Sequence, residues 1–208
     1  IWAFLLINWG NIIIPKKIYF LGKGWPILDG QKKYEIISVK ADGVIVDGFK
    51  LIHSGISAMD DYAGIKMYDC NNVEIRNNIL QDTYFGIYVQ YGKNCKIVNN
   101  QLEAFLKEEQ QSGNGIHCWK SDQLKISGNK IIGHRDGIYL EFVSNSEIVK
   151  NYSIQNIRYG LHFMLSNNNR YIANHFVNNG AGVAVMYSSQ VQMINNYFKE
   201  NWGDAAYG

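Results

Sequence analysis

Short bursts of alternating apolar and polar residues recur along most of this chain. Six of them open on a glycine: Gly64, Gly86, Gly115, Gly137, Gly160 and Gly182, at intervals of 22, 29, 22, 23 and 22 residues. Counted from that glycine, position +1 reads Ile65, Ile87, Ile116, Ile138, Leu161 and Val183, and position +3 reads Met67, Val89, Cys118, Leu140, Phe163 and Val185. Position +11 reads Ile75, Ile97, Ile126, Ile148, Tyr171 and Met193, and position +16 reads Leu80, Leu102, Ile131, Ser153, Phe176 and Phe198. Position +14 is always asparagine: Asn78, Asn100, Asn129, Asn151, Asn174 and Asn196. A period of two within each burst describes a strand with one face inward. Several such strands per repeat of about 22 residues describe a solenoid.

No unit has the three-and-four apolar spacing of a helical repeat, and none carries a leucine ladder. The pattern therefore predicts an all-β chain, a right-handed single-stranded parallel β-helix of the pectin-lyase-like kind, with about three short strands per turn. Residues 64–208 read as regular turns, cut off at the C-terminal end, and residues 16–63 as earlier turns with a degenerate repeat. Residues 1–15 read as an ambiguous N-terminal segment or cap. The +14 asparagines are expected to stack and hydrogen-bond from coil to coil and to take the left-handed bend, and the glycines to supply tight corners. The long interval before Gly115 holds a charged excursion within L-E-A-F-L-K-E-E-Q-Q-S-G-N, and a shorter insertion is expected near residues 201–204.

Composition narrows the classes. With 47% hydrophobic residues over 208 positions the chain can bury a core and is not disordered. A net charge of +2 with no basic stripe argues against nucleic acid. Cys70, Cys95 and Cys118 are an odd set without a CxxC spacing and read as free, small core residues. The opening I-W-A-F-L-L-I is too short for a membrane span and lacks the flanks of a signal peptide. The chain starts without Met and ends where another turn would begin, so a piece of a longer protein is expected.

If +1 and +3 point inward, +2 and +4 point outward. The +2 column is Lys66, Tyr88, His117, Tyr139, His162 and Ala184, and the +4 column is Tyr68, Gln90, Trp119, Glu141, Met164 and Met186. His162, Met164 and Met186 thus form a thioether and imidazole set, which suits Cu(I). The same methionines could instead pack under a loop or a partner. A second candidate is the corner His134, Arg135 and Asp136, near Glu141 and Arg158. Such groups on an outer β-helix face would serve a polysaccharide lyase or hydrolase, or could simply pair across coils. No Ser-His-Asp arrangement, phosphate loop or dinucleotide fingerprint is present.

The segments G-N-G-I-H-C-W (113–119), G-H-R-D-G-I-Y-L-E-F (133–142), R-Y-G-L-H-F-M (158–164), N-G-A-G-V-A-V-M-Y (179–187) and N-W-G-D-A-A-Y-G (201–208) resemble the NosD family. The resemblance covers about residues 16–208 and leaves out residues 1–8. Leu140 and Leu165 stand where the family pattern suggests Phe. The resemblance implies a periplasmic parallel β-helix of the carbohydrate-binding and sugar-hydrolase type that is not itself an enzyme. It further implies work beside an ABC permease and its ATPase, and with a copper chaperone lipoprotein, in maturing nitrous oxide reductase. Copper, as Cu(I), is the implied cargo. On that reading His162, Met164 and Met186 are the metal contacts, and His117, Trp119, His134, Arg135, Asp136 and Glu141 the surrounding binding surface.

Overall fold

The computed structural model describes residues 2–4, 8–57, 60–105, 108–202 and 206–207. Across them the chain winds through three parallel sheets of nine strands each. One coil visits the sheets in turn. It passes Lys125–Ser127 in the first, Lys130–Ile132 in the second and Ile138–Glu141 in the third. The next coil repeats the path through Glu147–Val149, Tyr152–Ile154 and Tyr159–Met164. Each residue pairs with its counterpart one repeat away: Ile116 with Ile138, Ile138 with Leu161, and Leu161 with Val183. The expected all-β parallel solenoid and its register are therefore present.

Winding starts before the boundary expected at residue 15. Trp2–Phe4, Asn8–Trp9 and Ile12–Ile14 already enter the three sheets, beside Tyr19–Lys23, Ile27–Asp29 and Ile37–Val39. Ile1 and residues 5–7 lie outside the described residues. At the other end Ala206–Tyr207 pairs with Val183 and Ala184, so another turn does begin there. The insertion expected near 201–204 falls partly outside the described residues, as do Gly208 and residues 58–59 of the loop before Gly64. The excursion before Gly115 contains a single 3-10 turn, Glu109–Gln111, and its residues 106–107 are likewise outside. Among the described residues, no helix is long and apolar enough to cross a membrane.

The lumen is filled by the columns that alternation assigns to it. Ile116, Cys118, Ile126 and Ile131 from one stretch and Leu161, Phe163, Tyr171 and Phe176 from another lie in one continuous buried cluster. Ser153 breaks the apolar +16 column, and its hydroxyl is satisfied by donating to the Gly160 carbonyl at 2.7 Å. The three cysteines are free and buried.

The asparagine ladder runs without a gap. Asn78, Asn100, Asn129, Asn151 and Asn174 each donate a side-chain N–H to the next coil's Oδ1, at 2.9–3.1 Å. Two expectations about the corners need correction. The left-handed residue is at +13, not at the ladder asparagine: Asn77, Asn99, Gly128, Lys150, Ala173 and Asn195 have φ between 50° and 67°. The repeat glycines have no such φ. They are small because coils approach closely there: a Cβ on Gly115 would come within 2.6 Å of the Gly137 carbonyl oxygen, and one on Gly137 within 2.7 Å of that of Gly160.

Candidate functional site

The third sheet presents its outer face through the +2 and +4 columns, and the strand register stacks them as the repeat requires. Tyr88, His117, Tyr139 and His162 are successive partners, as are Trp119, Glu141, Met164 and Met186. The rings form a continuous stack, with centroids 4.6 Å apart for Tyr88 and His117, 4.8 Å for His117 and Tyr139, and 4.6 Å for Tyr139 and His162. One tyrosine therefore separates the two imidazoles, and they lie two coils apart, about 10 Å on a strand spacing of about 4.8 Å. They cannot share one small ligand atom.

This column faces away from the lumen but is not open. His162 is 3% exposed and Tyr88 5%. Phe85 covers His117 edge-on at 5.3 Å, and Tyr159 covers His162 edge-on at 4.8 Å. Phe85, Tyr88 and Ala63 form a small apolar cluster of their own, separate from the lumen. The exposed methionines expected from alternation are half-buried.

Each imidazole has a carboxylate. His162 Nδ1 lies 3.2 Å from Asp136 Oδ2, and both side chains are buried. A carboxylate only accepts, so the ring proton belongs on Nδ1, and Nε2 is left as the basic nitrogen. Nε2 is buried and has no hydrogen-bond partner. The other Asp136 oxygen takes the Tyr159 backbone N–H at 3.3 Å and lies 3.7 Å from Arg158 Nε. His117 Nε2 is 3.8 Å from Glu141 Oε2, an ion-pair distance but too long for a hydrogen bond. The His117 imidazole holds the Glu141 carboxyl below its usual range. Burial, helped by Glu141 and Asp136 nearby, pushes the Tyr139 phenol between them up to about 12.

The excursion reaches this corner. Glu109 Oε1 lies 3.5 Å from Arg135 Nε and 3.4 Å from Arg158 Nη1, so one carboxylate bridges two coils. Met164 and Met186 are direct strand partners at the far edge of the face. Trp119 lies one column over from His117, with Lys120 Nζ 4.5 Å from its ring centroid.

Of the candidates read from the sequence, His117, Trp119, Arg135, Asp136, Glu141, His162, Met164 and Met186 come together on this face and its edge. His134 does not. It is fully buried at the corner where Asn156 and Asn179 stand in the following coils, and its backbone N–H donates to Asn156 Oδ1 at 3.1 Å. Burial lowers its pKa to about 4, outweighing the Gly113 backbone beside it, so it belongs to the wall and not to the binding surface. Sequence reasoning missed the tie between Asp136 and His162. Asp136 precedes its glycine, and strict alternation would point it inward. The pairing skips the glycine, as where Tyr159 pairs with Ala181 and then Leu161 with Val183, so the alternation does not carry across that joint.

Over 130 residues the chain is 26% identical to the probable ABC transporter binding protein NosD of Pseudomonas aeruginosa, and over 131 residues 27% identical to that of Stutzerimonas stutzeri. Each match takes in 62% of this chain, which spans about 30% of the length of those relatives. Among solved structures, the DFA-IIIase of Arthrobacter chlorophenolicus superposes with a TM-score of 0.67 at 13% identity, over 88% of this chain and 49% of that one. A mutant of the periplasmic alginate epimerase AlgG superposes with a TM-score of 0.54 at 12% identity, over 90% and 57%. At such identities these two likenesses concern the fold alone. Residues 29–202 match the family described as the right handed beta helix region, and with three parallel sheets wound in one register, the chain belongs to that family.

Proposed function

We propose that this chain is a NosD-like binding module that serves a periplasmic ABC transporter system and receives or hands on Cu(I), rather than turning over a substrate. The observation that carries the reading is the outer edge of the third sheet. Met164 and Met186 are direct strand partners there, two residues along from His162 and Ala184. Asp136 holds the His162 ring by Nδ1 and leaves Nε2 without a partner. A carboxylate that fixes the orientation of an imidazole is a common support for a metal contact. Two thioethers and one imidazole suit Cu(I), and a set of two or three ligands leaves it free to be passed on. The names of the relatives support the transporter connection. Delivery to nitrous oxide reductase, exchange with a copper chaperone lipoprotein, and the permease and ATPase as partners all belong to this proposal.

Anaerobic competition with a chromophoric Cu(I) chelator tests it. The protein is expected to withdraw about one equivalent, and His162→Ala/Met164→Ala/Met186→Ala to withdraw none. Equal withdrawal by both, or none by either, overturns the copper assignment. A pull-down with the chaperone would then test the same face as a docking surface.

A second reading has its own observation. Two imidazole and carboxylate pairs, His117 with Glu141 and His162 with Asp136, flank one tyrosine. That arrangement would suit acid and base work on a polysaccharide, with Arg135 and Arg158 near a uronate. Turnover of any neutral or uronate polysaccharide by the purified chain, lost in Asp136→Asn, would favour it.

A further inference from the structure

The second sheet has an outer face of its own, formed by Gln101–Glu103, Lys130–Ile132, Tyr152–Ile154, His175–Val177 and Tyr197–Lys199 as successive parallel partners. The middle residue of each strand turns to the lumen, so two columns face out. One runs Gln101, Lys130, Tyr152, His175 and Tyr197, and the other Glu103, Ile132, Ile154, Val177 and Lys199. The rings of Tyr152, His175 and Tyr197 stack with centroids 4.6 and 5.3 Å apart, yet Tyr152 is 47% and Tyr197 48% exposed. Ile154 and Val177 lie beside them, half-buried. The first sheet, by contrast, sets Lys96, Lys125, Glu147 and Arg170 outward in one column. A contiguous apolar and aromatic patch of this kind marks a surface that meets another macromolecule.

A hollow of about 520 Å³ opens at the corner where this face ends, between Ala104, Phe105, Ile132 and Ile157. Gly133 lies at its floor and has no side chain to fill it. Phe105 stands exposed on its rim. Trp202 takes the outward position that Ile157 holds two coils earlier, and it too is exposed. The second outward column ends in opposite charges. Glu103 stands two coils before Ile154, and Lys199 two coils after it. Within the chain Glu103 accepts from the Gln81 amide at 3.2 Å, and Lys199 lies 3.6 Å from Glu200. Partners so open to water are exchanged at little cost.

The pattern is complementary to itself. Turning a second copy over about a line parallel to the Tyr152–Ile154 strand reverses the order of coils and keeps each column opposite its own kind. Ile154 then faces Ile154, Ile132 faces Val177, and Glu103 faces Lys199 at both ends. Tyr152 faces Tyr152, the Gln101 amide faces the Tyr197 phenol, and Lys130 faces the His175 ring. Trp202 comes level with the coil of Glu103 and Phe105, beside the open hollow. A partner carrying one sign of charge would match one end of the column and repel the other. We infer that the outer face of the second sheet pairs with a second copy of this chain about that twofold axis, each Trp202 seated in the other copy's hollow. Five coils at about 4.8 Å and five residues at about 3.3 Å give a footprint of about 24 by 16 Å, the size of a weak, reversible dimer rather than an obligate one. The copper reading uses the third sheet and is independent of this one.

Sedimentation equilibrium of the purified chain from about 1 μM to 1 mM, the window for such weak pairs, tests the inference. A reversible monomer–dimer equilibrium is expected. Glu103→Lys and Lys199→Glu each place like charges together at both ends and should weaken the dimer about tenfold or more. Both positions face out of the wall, so the variants should fold, which circular dichroism checks. The Glu103→Lys/Lys199→Glu double variant restores opposite charges and should recover the parent's dimer. An equimolar mixture of the two single variants should pair more tightly than either alone, since each then meets its opposite. Trp202→Ala should weaken the dimer about tenfold. A chain that stays monomeric to 1 mM, at about 4 kcal/mol, overturns the inference. So does a dimer indifferent to the single reversals or to Trp202→Ala, or a double variant no better than the singles.

Discussion

Replacing Asn129 by Ala should remove more stability than any exposed substitution in the same coil. Asn129 Oδ1 accepts the Asn100 backbone N–H at 2.9 Å and the Asn100 side-chain N–H at 3.0 Å. Its own amide group donates to the Ile97 carbonyl and to Asn151 Oδ1, both at 2.9 Å. Alanine deletes all four bonds in a place with no exposure to water. Asn151 Oδ1 keeps the Asn129 backbone N–H, so its loss is partial. The two Asn100 donors are stranded. At about 1–3 kcal/mol for each unsatisfied buried group, the cost is about 2–6 kcal/mol. That is a large share of the roughly 5–15 kcal/mol that holds a domain together. Urea unfolding followed by circular dichroism measures it, with Lys125→Ala, at an exposed position, expected within about 0.5 kcal/mol of the parent. The Asn100→Ala/Asn129→Ala double variant should cost less than the sum of the singles, since each single already breaks the shared bonds. A cost below about 1 kcal/mol for Asn129→Ala, or strict additivity of the pair, would refute the ladder as a source of stability.

Two further perturbations follow from the same walls. His134 has a folded pKa of about 4 against 6.5 for the free side chain. Below pH 6.5 the unfolded chain takes up a proton that the folded one refuses until about pH 4, so this residue's share of stability is present above 6.5 and lost as pH falls through that window. The loss is on the order of 3 kcal/mol. The difference between parent and His134→Asn should therefore change across that window when urea midpoints are compared. A constant difference would show that the imidazole is not buried. Gly137→Ala should prevent native folding or cost several kcal/mol. Its Cβ would lie 2.7 Å from the Gly160 carbonyl oxygen and 2.8 Å from Asn156 Nδ2, in a packed wall that cannot open. A soluble Gly137→Ala protein with the parent's unfolding midpoint would contradict the close coil contact.

What the residues disclosed and what they hid follow from how far alternation reaches. Within a strand the period of two is rigid, so Ile116 and Cys118 could be placed inside and His117 and Trp119 outside without coordinates. The repeat then set which side chains stack, because parallel strands pair like with like. Alternation says nothing across the glycine joint, so Asp136 could not be connected to His162. It also separates inside from outside but not covered from open. The rings of Tyr88, His117, Tyr139 and His162 cover one another, and Phe85 and Tyr159 close over them. The second polar column, Asn156, Asn179 and Asn201, occupies only the last coils. His134 stands in its place one coil earlier, and too few repeats share the asparagine for the pattern to register. Glu35, which takes the hydroxyl of Tyr68 from the first regular turn, stands in a turn whose repeat has decayed, where no period marks partners.

The asparagine ladder also sets how far a disturbance can travel. Its bonds join residues 22 to 32 positions apart, and none reaches further. The chain therefore resembles a zip fastener, in which each tooth engages only its neighbours. Closing one more coil costs about the same loop entropy wherever it is added, and folding can spread from any closed pair in either direction. A fault in the coil of Asn129 would reach Lys66 on one side and the methionine edge on the other only by being handed on step by step, so the two ends of the face can be altered independently.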